Sequence, residues 1–549
     1  MPIRFKETNY SSLIWLLEVT FAGKDYRFST KPVDISKDDG SFISFGGGLD
    51  DPEFSETLSR FDHSIDQQVI SLDLDFKIDV ASQIQKGHHL SGSKAELSCV
   101  LVSDGSIEQT YEGRMIVLSG FVGSPMYAFP DRPKGIVSLS VEASAAQDNG
   151  RIIPSTMSIQ SEVTTASETP HDGKPYPLVF GTPGTYQDSD GTSRYFPGSP
   201  AYILNYTTSG SAAGSATRLL IAGHHVNAKT VMIINNIGDK KDFAVVNGTD
   251  QLGRNIAYCA VTFDSGVFDN REEPYWVNWR DAEGSNYGGG IRNPWRLNQD
   301  LNGAGDVIRY VLQFSTLEVD HGEFAAVSDY LNKFKISGYI SDFEASPWDW
   351  VSELSKVLPI SIRNGPNGLY PIVHDVRALQ SYGVSITASP EFQQISAVQV
   401  EAGLSEIYNS ISIGYAFNAN ENSPCRYGVT GIKQSGDPSS FSTDATRASI
   451  ARYGQRWKRV ESAYVYDRST AQKIIKYISD TEALPAQSVR YLAAPRFAFL
   501  MLGDIVSLTD SNLGFTNQSC FVSAKAWSVD SWVITLTIDR IPDRDTYTS

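Results

Sequence analysis

The chain has 549 residues, of which 46 are basic and 63 acidic, and its formal net charge is −17. This acidic balance repels polyphosphate, so it argues against a protein that binds nucleic acid through counterion release. The length predicts about three or four domains, and the 44 glycines, 26 tyrosines and 26 phenylalanines favour strands joined by turns over helical bundles.

Residues 1–150 read as a β region. The clearest strand runs from Val69 to Val80, where apolar residues occupy every second position against Ser, Asp and Lys. Further alternating runs follow at 96–102, 114–122 and 135–143, and they are separated by turn signals such as Ser-Asp-Gly. Together with an early strand pair, these runs predict one antiparallel β-barrel or sandwich.

The next two segments are less regular. Residues 151–177 are rich in Ser, Thr, Glu and Pro, which predicts an exposed linker or extended arm. Residues 178–300 alternate short apolar runs with Gly, Asn and Ser clusters, and we expect a loop-rich β region there.

Residues 301–389 change to a helical period, which predicts an α+β insertion with about three helices. Asp306 is the expected N-cap of the first helix, and a weaker helix is expected over 324–331. The third has the best start signal, with Ser346 as N-cap and Pro347 at the first helical position. A strand pair should follow at 360–373.

Residues 390–549 return to the β pattern. We expect strands near 489–493, 505–509, 521–527 and 532–538, interrupted by one inserted helix over 469–484. Ser469 is the expected N-cap of that helix, with Gln472 completing a capping box. The expected fold class is therefore mainly β with an α+β insertion.

Targeting signals and disulfides are not expected. The first apolar run is brief and no signal-peptide cleavage pattern follows it. No apolar run approaches the roughly 20 residues that span a bilayer, so we expect a soluble protein without membrane insertion. The four cysteines are scattered without a CxxC pair, as is typical of buried thiols in a reducing cytoplasm: Cys99, Cys259, Cys425 and Cys520.

The sequence contains three groups of possible metal ligands. Two Gly-His-His tripeptides invite a zinc interpretation, but adjacent histidines on a strand point to opposite faces, which favours ordinary turn or strand-edge histidines. The Asp188–Gly191 and Asp34–Gly40 segments fail the required positions of a calcium loop and are expected to be polar turns. We predict no metal and no other cofactor.

Two sets of side chains have a possible function. Asp73, Asp75 and Asp79 share a strand face on which neighbouring positions are about 6.6 Å apart. Two carboxylates at that distance could flank a glycosidic bond, and the three could form an acidic stripe that lines a channel. General acid chemistry needs one pKa raised by burial, whereas this face is expected to be hydrated and carries Lys77, so an ordinary solvated face is the default. The channel lining is the functional alternative that we keep. Four tryptophans could bind sugar, but core or subunit-interface packing is favoured: Trp276, Trp279, Trp348 and Trp350.

Motifs of common enzymes are missing from the sequence. It holds no GxSxG, no Walker-type loop, no GxGxxG after a strand and no catalytic cysteine signature. We therefore expect a protein that is not an enzyme. Two alternatives from other classes are a glycoside hydrolase, acting as a carbohydrate-active or peptidoglycan-degrading tail protein, and a glycan-binding adhesin.

Nine segments resemble one family and occur in that family's order: IWLLEVTFAGKDYRFST, GRMIVLSGFVGSP, GIVSLSVEAS, PYPLVFGTPG, LLIAGHHV, GDVIRYVLQF, SPWDWVSELSKVLPISI, RYGQRWKRVESAYVYDRSTAQKIIKYISD and LGDIVSLTD. The family is the hub proteins of tail tips and baseplates in long-tailed bacteriophages. The resemblance covers nearly the whole chain, and its specificity lies in the order of the segments.

The resemblance implies a structural protein of the virion. It implies two tube-like β-barrels or sandwiches, at 1–150 and 390–549, and a homotrimer whose pseudo-sixfold ring joins the tail tube to threefold tip components. Partners would be the distal tail protein, tail tube, tape measure and tail fibre or spike proteins. Genome DNA would pass through without specific binding. Since the sequence ends soon after its last expected strand, we expect no C-terminal enzymatic fusion.

Overall fold

The computed structural model describes residues 12–540 apart from these segments: 59–64, 68–69, 77–85, 104, 124, 129–134, 143–149, 160–170, 172, 188–191, 207–215, 251, 261–273, 280–288, 298, 366–367, 375–383, 390–391, 395–398, 402–406, 431–439, 442–443, 484–485 and 529–532. The described residues confirm the expected fold class, which is mainly β with a helical insertion. No helix among them is long and apolar enough to cross a membrane.

The first β region contains twelve of the described strands: β1 Ser12–Phe21, β2 Lys24–Ser29, β3 Val33–Ser36, β4 Phe42–Gly47, β5 Phe54–Leu58, β6 Ile65–Gln67, β7 Ile70–Phe76, β8 Lys94–Ser103, β9 Ser106–Ile107, β10 Met115–Val122, β11 Met126–Ala128 and β12 Gly135–Glu142.

The central region is mixed: β13 Leu178–Phe180, β14 Thr185–Gln187, β15 Ser193–Tyr195, β16 Ser199–Tyr206, β17 Ala216–Ala222, β18 Thr230–Ile234, β19 Lys240–Thr249, β20 Asn255–Ala260, β21 Tyr275–Asn278, α1 Ala304–Leu312, α2 His321–Leu331, β22 Gly338–Ile340, α3 Pro347–Ser355, β23 Ile360–Gly365 and β24 Gly368–Val373.

The last region adds β25 Val384–Thr387, β26 Phe392–Gln394, β27 Gln399–Glu401, β28 Ser410–Asn418, β29 Ser423–Thr430, β30 Ser440–Phe441, α4 Asp444–Tyr453, β31 Trp457–Glu461, α5 Arg468–Glu482, β32 Ala486–Ala493, a 3-10 helix at Pro495–Phe499, β33 Ile505–Asp510, β34 Phe515–Ser528 and β35 Val533–Arg540.

Ten strands of the first region form one sheet, with β1 near its middle between β2 and β8. The β1–β2 hairpin turns through Ala22 and Gly23, whose φ angles are 51° and 74°. Positive φ at both central residues is the type I′ requirement, and this turn matches the right-handed twist of the flanking strands. The tight turn fixes the register of the first two strands.

Strand β5 leaves its neighbours and joins the sheet of the last region. It pairs antiparallel with β34, where Phe54 lies opposite Trp527 and Thr57 opposite Ala524. The resulting nine-stranded sheet therefore holds β5 and β6 from the first region beside β25–β27 and β32–β35 from the last. The two ends of the chain are consequently connected by backbone hydrogen bonds.

The two large sheets also share one hydrophobic core. Trp15 of β1 contacts Trp527 of β34 edge-on at 5.3 Å between ring centroids, and Phe54 lies 5.8 Å from Trp15. Apolar residues of both sheets are buried in the same cluster, including Leu97 and Val522. The sequence predicted two β regions far apart in the chain, and the structure adds that they pack as one unit.

A closed barrel of six strands lies within the region expected to be loop-rich. Its strands follow the order β16-β17-β20-β19-β18-β21, and its interior is filled by aliphatic side chains such as Leu219, Val231 and Val277. The described residues thus contain a barrel that the sequence analysis did not predict.

Segments on either side of the gap at 160–170 pack against this barrel. Ile159 and Tyr176 are buried beside Leu220 and Ile256. Arg254 fixes the chain there, since its Nη2 donates to the Ser158 carbonyl at 3.1 Å and to the Tyr176 hydroxyl at 2.9 Å. In its described parts, the expected exposed arm is held on the barrel surface.

The central helices follow the sequence pattern closely, with one error at a cap. Ser346 accepts a hydrogen bond from the Asp349 N–H at 3.0 Å, which confirms the expected cap of α3. Asp306, expected as the N-cap of α1, lies inside its first turn, and Gly303 occupies the cap position. The Asp306 carboxylate is buried, and it accepts hydrogen bonds from Asn293 and Arg296 and does not cap the helix.

A four-stranded sheet, β30-β29-β28-β31, packs on helix α5. The N-cap of helix α5 lies two residues earlier than expected: Asp467 accepts from the Thr470 N–H at 2.8 Å, while Ser469 lies within the helix. Ile474, Ile475 and Ile478 of α5 are buried in the same core cluster as Ile411 and Ile413 of the sheet. Helix α4 at 444–453 was not predicted.

Candidate functional site

Five charged or polar side chains meet where the three regions of the chain join, and we call them the charged junction: Glu56, Arg363, Tyr370, Asp504 and Lys525. Glu56 comes from β5, Arg363 and Tyr370 from the β23–β24 hairpin, and Lys525 from β34. The strand pattern explains their burial. Glu56 lies two residues from each of the buried Phe54 and Leu58, so all three side chains point to the same, apolar face of β5.

A buried ion pair forms the centre of the junction. The Nη2 of Arg363 donates to both carboxylate oxygens of Glu56, at 2.8 and 2.7 Å, and the two side chains are only 4% and 6% exposed. The Nη1 of Arg363 also donates to the Tyr370 hydroxyl at 3.3 Å. Burial alone would lower the pKa of Arg363, but Tyr370 and Glu56 raise that pKa above its ordinary value, so Arg363 stays charged.

Lys525 and Asp504 complete the junction. The Nζ of Lys525 donates to the Ala498 carbonyl at 2.6 Å, and burial lowers the pKa of Lys525 below its ordinary value while Glu56 opposes that shift. Burial raises the pKa of Asp504. The hydrogen bond that Asp504 accepts from the Met501 N–H at 2.8 Å opposes this increase. Each ion therefore has a partner.

Perturbed pKa values often mark reaction centres, but this geometry favours a structural role. The ion pair occupies both oxygens of Glu56, so neither is available as a base or nucleophile. Glu56, Arg363 and Lys525 are each 5% exposed or less, which leaves a substrate no access to them. The junction is suited to holding β5, the β23–β24 hairpin and β34 in one arrangement.

A polar cleft of about 210 Å³ lies beside helices α1 and α2. Its lining is polar throughout: Asn293, Arg296, Gln299, Asp300, Asn302, Gly303, Asp306, Asp329, Asn332, Lys333 and Lys335. Arg296 binds Asp306 at 2.9 Å and Asp329 at 2.8 Å, while Asn293 donates to Asp306 at 2.7 Å. These bonds hold the loop before α1 against both helices.

The acidic stripe is only partly described. Asp73 and Asp75 lie on β7, where they pair with Ser138 and Ile136 of β12. Asp79 lies outside the described residues. The channel-lining role of these three residues remains a prediction.

The four tryptophans differ in accessibility. Trp279 is fully buried, and its Nε1 donates to the Ser199 hydroxyl at 2.8 Å. Trp350 is 6% exposed and packs edge-on against Phe180. Both belong to the protein's own cores, which leaves Trp276 and Trp348, each partly buried, as the interface candidates.

The histidine pairs have ordinary roles where they are described. His224 accepts the Val179 N–H at 2.9 Å through Nε2, and desolvation lowers its pKa to about 4. His225 Nε2 contacts the Gly248 carbonyl at 2.9 Å. No group of three or more His, Cys, Asp or Glu suited to a metal occurs among the described residues.

The remaining sequence candidates are also placed. Asp39 accepts from the Ser41 N–H at 2.8 Å, which is the expected polar turn, whereas Asp188–Gly191 lies outside the described residues. Three of the four cysteines are buried, and Cys425 is exposed. The charged junction was missed, although a carboxylate on the apolar face of β5 is a signal that the sequence contains.

No protein-family model matches the sequence, and no curated protein matches it. Three solved structures share 8–10% identity with the chain. The tail protein from Neisseria meningitidis MC58 is 10% identical over 96% of both chains, with a TM-score of 0.36. The 43 kDa tail protein of prophage MuSo2 from Shewanella oneidensis is 9% identical over 96% of this chain and 97% of that one, with a TM-score of 0.35. Prophage tail protein gp18 from Listeria monocytogenes EGD-e is 8% identical over 98% of this chain and 97% of that one, with a TM-score of 0.33.

Proposed function

We propose that this protein is a structural component of a bacteriophage virion, the hub of the tail tip or baseplate. In this role three copies form a ring that joins the sixfold tail tube to threefold tip components and lines the DNA ejection channel. The ring is assembled in the host cytoplasm. The proposal starts from the nine sequence segments that resemble hub proteins in order along the chain.

The observation that carries the proposal is the union of the two terminal β regions. A subunit that contributes two ring positions needs two β bodies held in a fixed relation. Here a ten-stranded and a nine-stranded sheet, one mainly from each end of the chain, share a core, and the nine-stranded sheet includes β5 and β6 of the first region. The charged junction locks the central region to the same unit. Three such subunits would supply six β bodies around one axis.

The acidic charge suits a passage for DNA. A net charge of −17 disfavours attachment of the phosphate backbone, so the genome would slide without specific binding. Asp73, Asp75 and Asp79 are the proposed lining residues. The proposed partners are the tail tube, distal tail protein, tape measure and tail fibre or spike proteins.

The mass and symmetry of the purified protein test this function. Light scattering should give three times the chain mass of 60.3 kDa, and particle images should show a ring with threefold symmetry. A variant with Asp73 and Asp75 changed to asparagine should keep the trimer. A strictly monomeric protein that degrades peptidoglycan, and loses that activity in this variant, would refute the hub and favour the hydrolase.

A further inference from the structure

The four-stranded sheet carries two exposed aromatic side chains. Trp457 of β31 is 51% exposed and Tyr427 of β29 is 41% exposed. No other tryptophan or tyrosine whose side chain is described is as accessible as either. We propose that the sheet face holding these two rings binds a neutral oligosaccharide. Sugar binding by this face does not depend on the hub function.

The strand register places both rings on one face of the sheet. In β31, which runs parallel to β28, Trp457 lies opposite Ser410. In β29, which runs antiparallel to β28, Tyr427 lies opposite Gly414. Because Ser410 and Gly414 are four residues apart on one strand, they share a face. Ile413 lies on the other face, where it is buried in the core that includes α5, so the aromatic face is the solvent side of the sheet.

An ion pair without net charge lies between the two rings. Arg459 and Glu461 follow Trp457 at every second position of β31, so they share its face. The Nε of Arg459 donates to the Glu461 carboxylate at 2.8 Å. The same guanidinium donates to the Tyr427 hydroxyl at 2.8 Å and lies 5.0 Å from the centroid of that ring. We call these four side chains the aromatic face.

The aromatic face matches the chemistry of a neutral sugar. One side of a sugar ring presents C–H groups that pack on an aromatic ring, while its hydroxyl groups exchange hydrogen bonds with polar side chains. Trp457 makes no hydrogen bond or ring contact with other described residues, so its ring is available for such packing. Arg459 and Glu461 carry the donors and acceptors for the hydroxyl groups.

The spacing of the two rings predicts a ligand of several sugar units. Trp457 and Tyr427 are two strands apart across the sheet and four residues apart along it. Strand geometry makes this separation about 16 Å between their backbone positions. A single sugar ring would reach only one of the two side chains, whereas an oligosaccharide laid along the face would contact both.

Other classes of partner fit the aromatic face less well. A specific protein interface buries about 800 Å² on each partner around an apolar centre, but here an ion pair separates the two rings. Nucleic acid requires cations that are free to neutralise phosphates. The cations of β31 are already paired, Arg459 with Glu461 and Lys458 with Glu482.

A microarray of neutral and acidic bacterial oligosaccharides tests the proposal, followed by calorimetric titration of the glycan that is retained. We expect the wild type to retain at least one neutral glycan. Trp457→Ala should weaken its binding by roughly tenfold, because the stacking contact is lost, and Trp457→Phe should restore most of the affinity. Phe42→Ala is the matched control, since Phe42 is an aromatic residue on another sheet and is 70% exposed. Circular dichroism checks that each variant is folded.

Several outcomes would overturn sugar binding by this face. One is retention of no neutral glycan, and another is equal affinity in wild type and Trp457→Ala. Equal losses in Trp457→Ala and Phe42→Ala would indicate non-specific adhesion to exposed rings. Binding of acidic glycans or DNA alone, if Trp457→Ala abolishes it, would assign the face to an anion. A trimer that binds no neutral glycan would leave the hub standing, whereas a monomer that binds one through Trp457 would refute the hub alone.

Discussion

Replacing Arg363 should make local opening of strand β5 more favourable. Arg363→Ala leaves the Glu56 carboxylate, itself 5% exposed, without the cation that now binds both its oxygens. Breaking a buried pair on one side typically costs about 3–5 kcal/mol, because an uncompensated charge stays buried. At about 1.4 kcal/mol for each factor of ten, the opening equilibrium of β5 should rise by roughly 100- to 4,000-fold.

Hydrogen exchange by mass spectrometry measures that opening directly. Peptides covering Phe54–Leu58 and β23 should exchange faster in Arg363→Ala by that factor, whereas peptides of the closed barrel should not change. Lys356→Ala is the matched control, since its partner Glu353 is 64% exposed. Exposed pairs contribute about 0–1 kcal/mol, so this control should change exchange by less than about tenfold.

A double variant separates the cost of a broken pair from the worth of the pair itself. Glu56→Leu combined with Arg363→Met removes both charges, and apolar replacement of a complete buried pair is often neutral or stabilising. Exchange of β5 in the double variant should therefore stay near the wild-type rate. The reasoning is refuted if Arg363→Ala leaves β5 exchange within about threefold of wild type, or if the double variant loses as much protection as the single one.

Three further predictions concern histidines, a cap and a core residue. Burial lowers the pKa of His171 and His224 from 6.5 to about 4. The unfolded chain therefore binds protons first, and the free energy of unfolding should fall as the pH decreases from 6.5 toward 4, by up to about 3 kcal/mol per histidine. His224→Gln should flatten this dependence of unfolding free energy on pH in denaturation measured from pH 7 to 4, and an unchanged dependence would contradict the role given to His224. Asp467→Ala should cost about 1 kcal/mol while Ser469→Ala should cost little, as thermal unfolding can show; equal losses would return the cap to the residue that the sequence suggested. Trp279→Ala should destabilise the barrel by about 3–5 kcal/mol and leave glycan-array binding unchanged, whereas selective loss of sugar binding by a stable variant would favour the adhesin.

Local signals predicted much of the fold. Alternation located strands β7, β8, β10 and β12, and the Ser346 cap was read correctly because a cap depends on residues within one turn. The errors at Asp306 and Ser469 have a local cause as well. Each is a good capping residue with a competitor nearby, and packing of the helix decides which one is used.

Contacts between residues far apart in the chain were not predicted from the sequence. The pairing of Phe54 with Trp527 joins residues that no periodicity relates, so the shared core and the charged junction could not be predicted from either strand alone. Two hints were present nonetheless. Glu56 and Lys525 both sit at inward positions of strands whose neighbours at i±2 include buried aromatic residues, and a charge at such a position requires a buried partner.

The capture of β5 by β34 also bears on how the chain is synthesised. The partner of Phe54 emerges from the ribosome about 470 residues later, which at roughly 5–20 residues per second means a delay of about 25–95 seconds. During that interval β5 has no neighbour on its β34 side, and an unpaired strand with apolar residues can associate with other nascent chains. Expression at low temperature or with added chaperones should therefore change the yield of this protein more than its final stability.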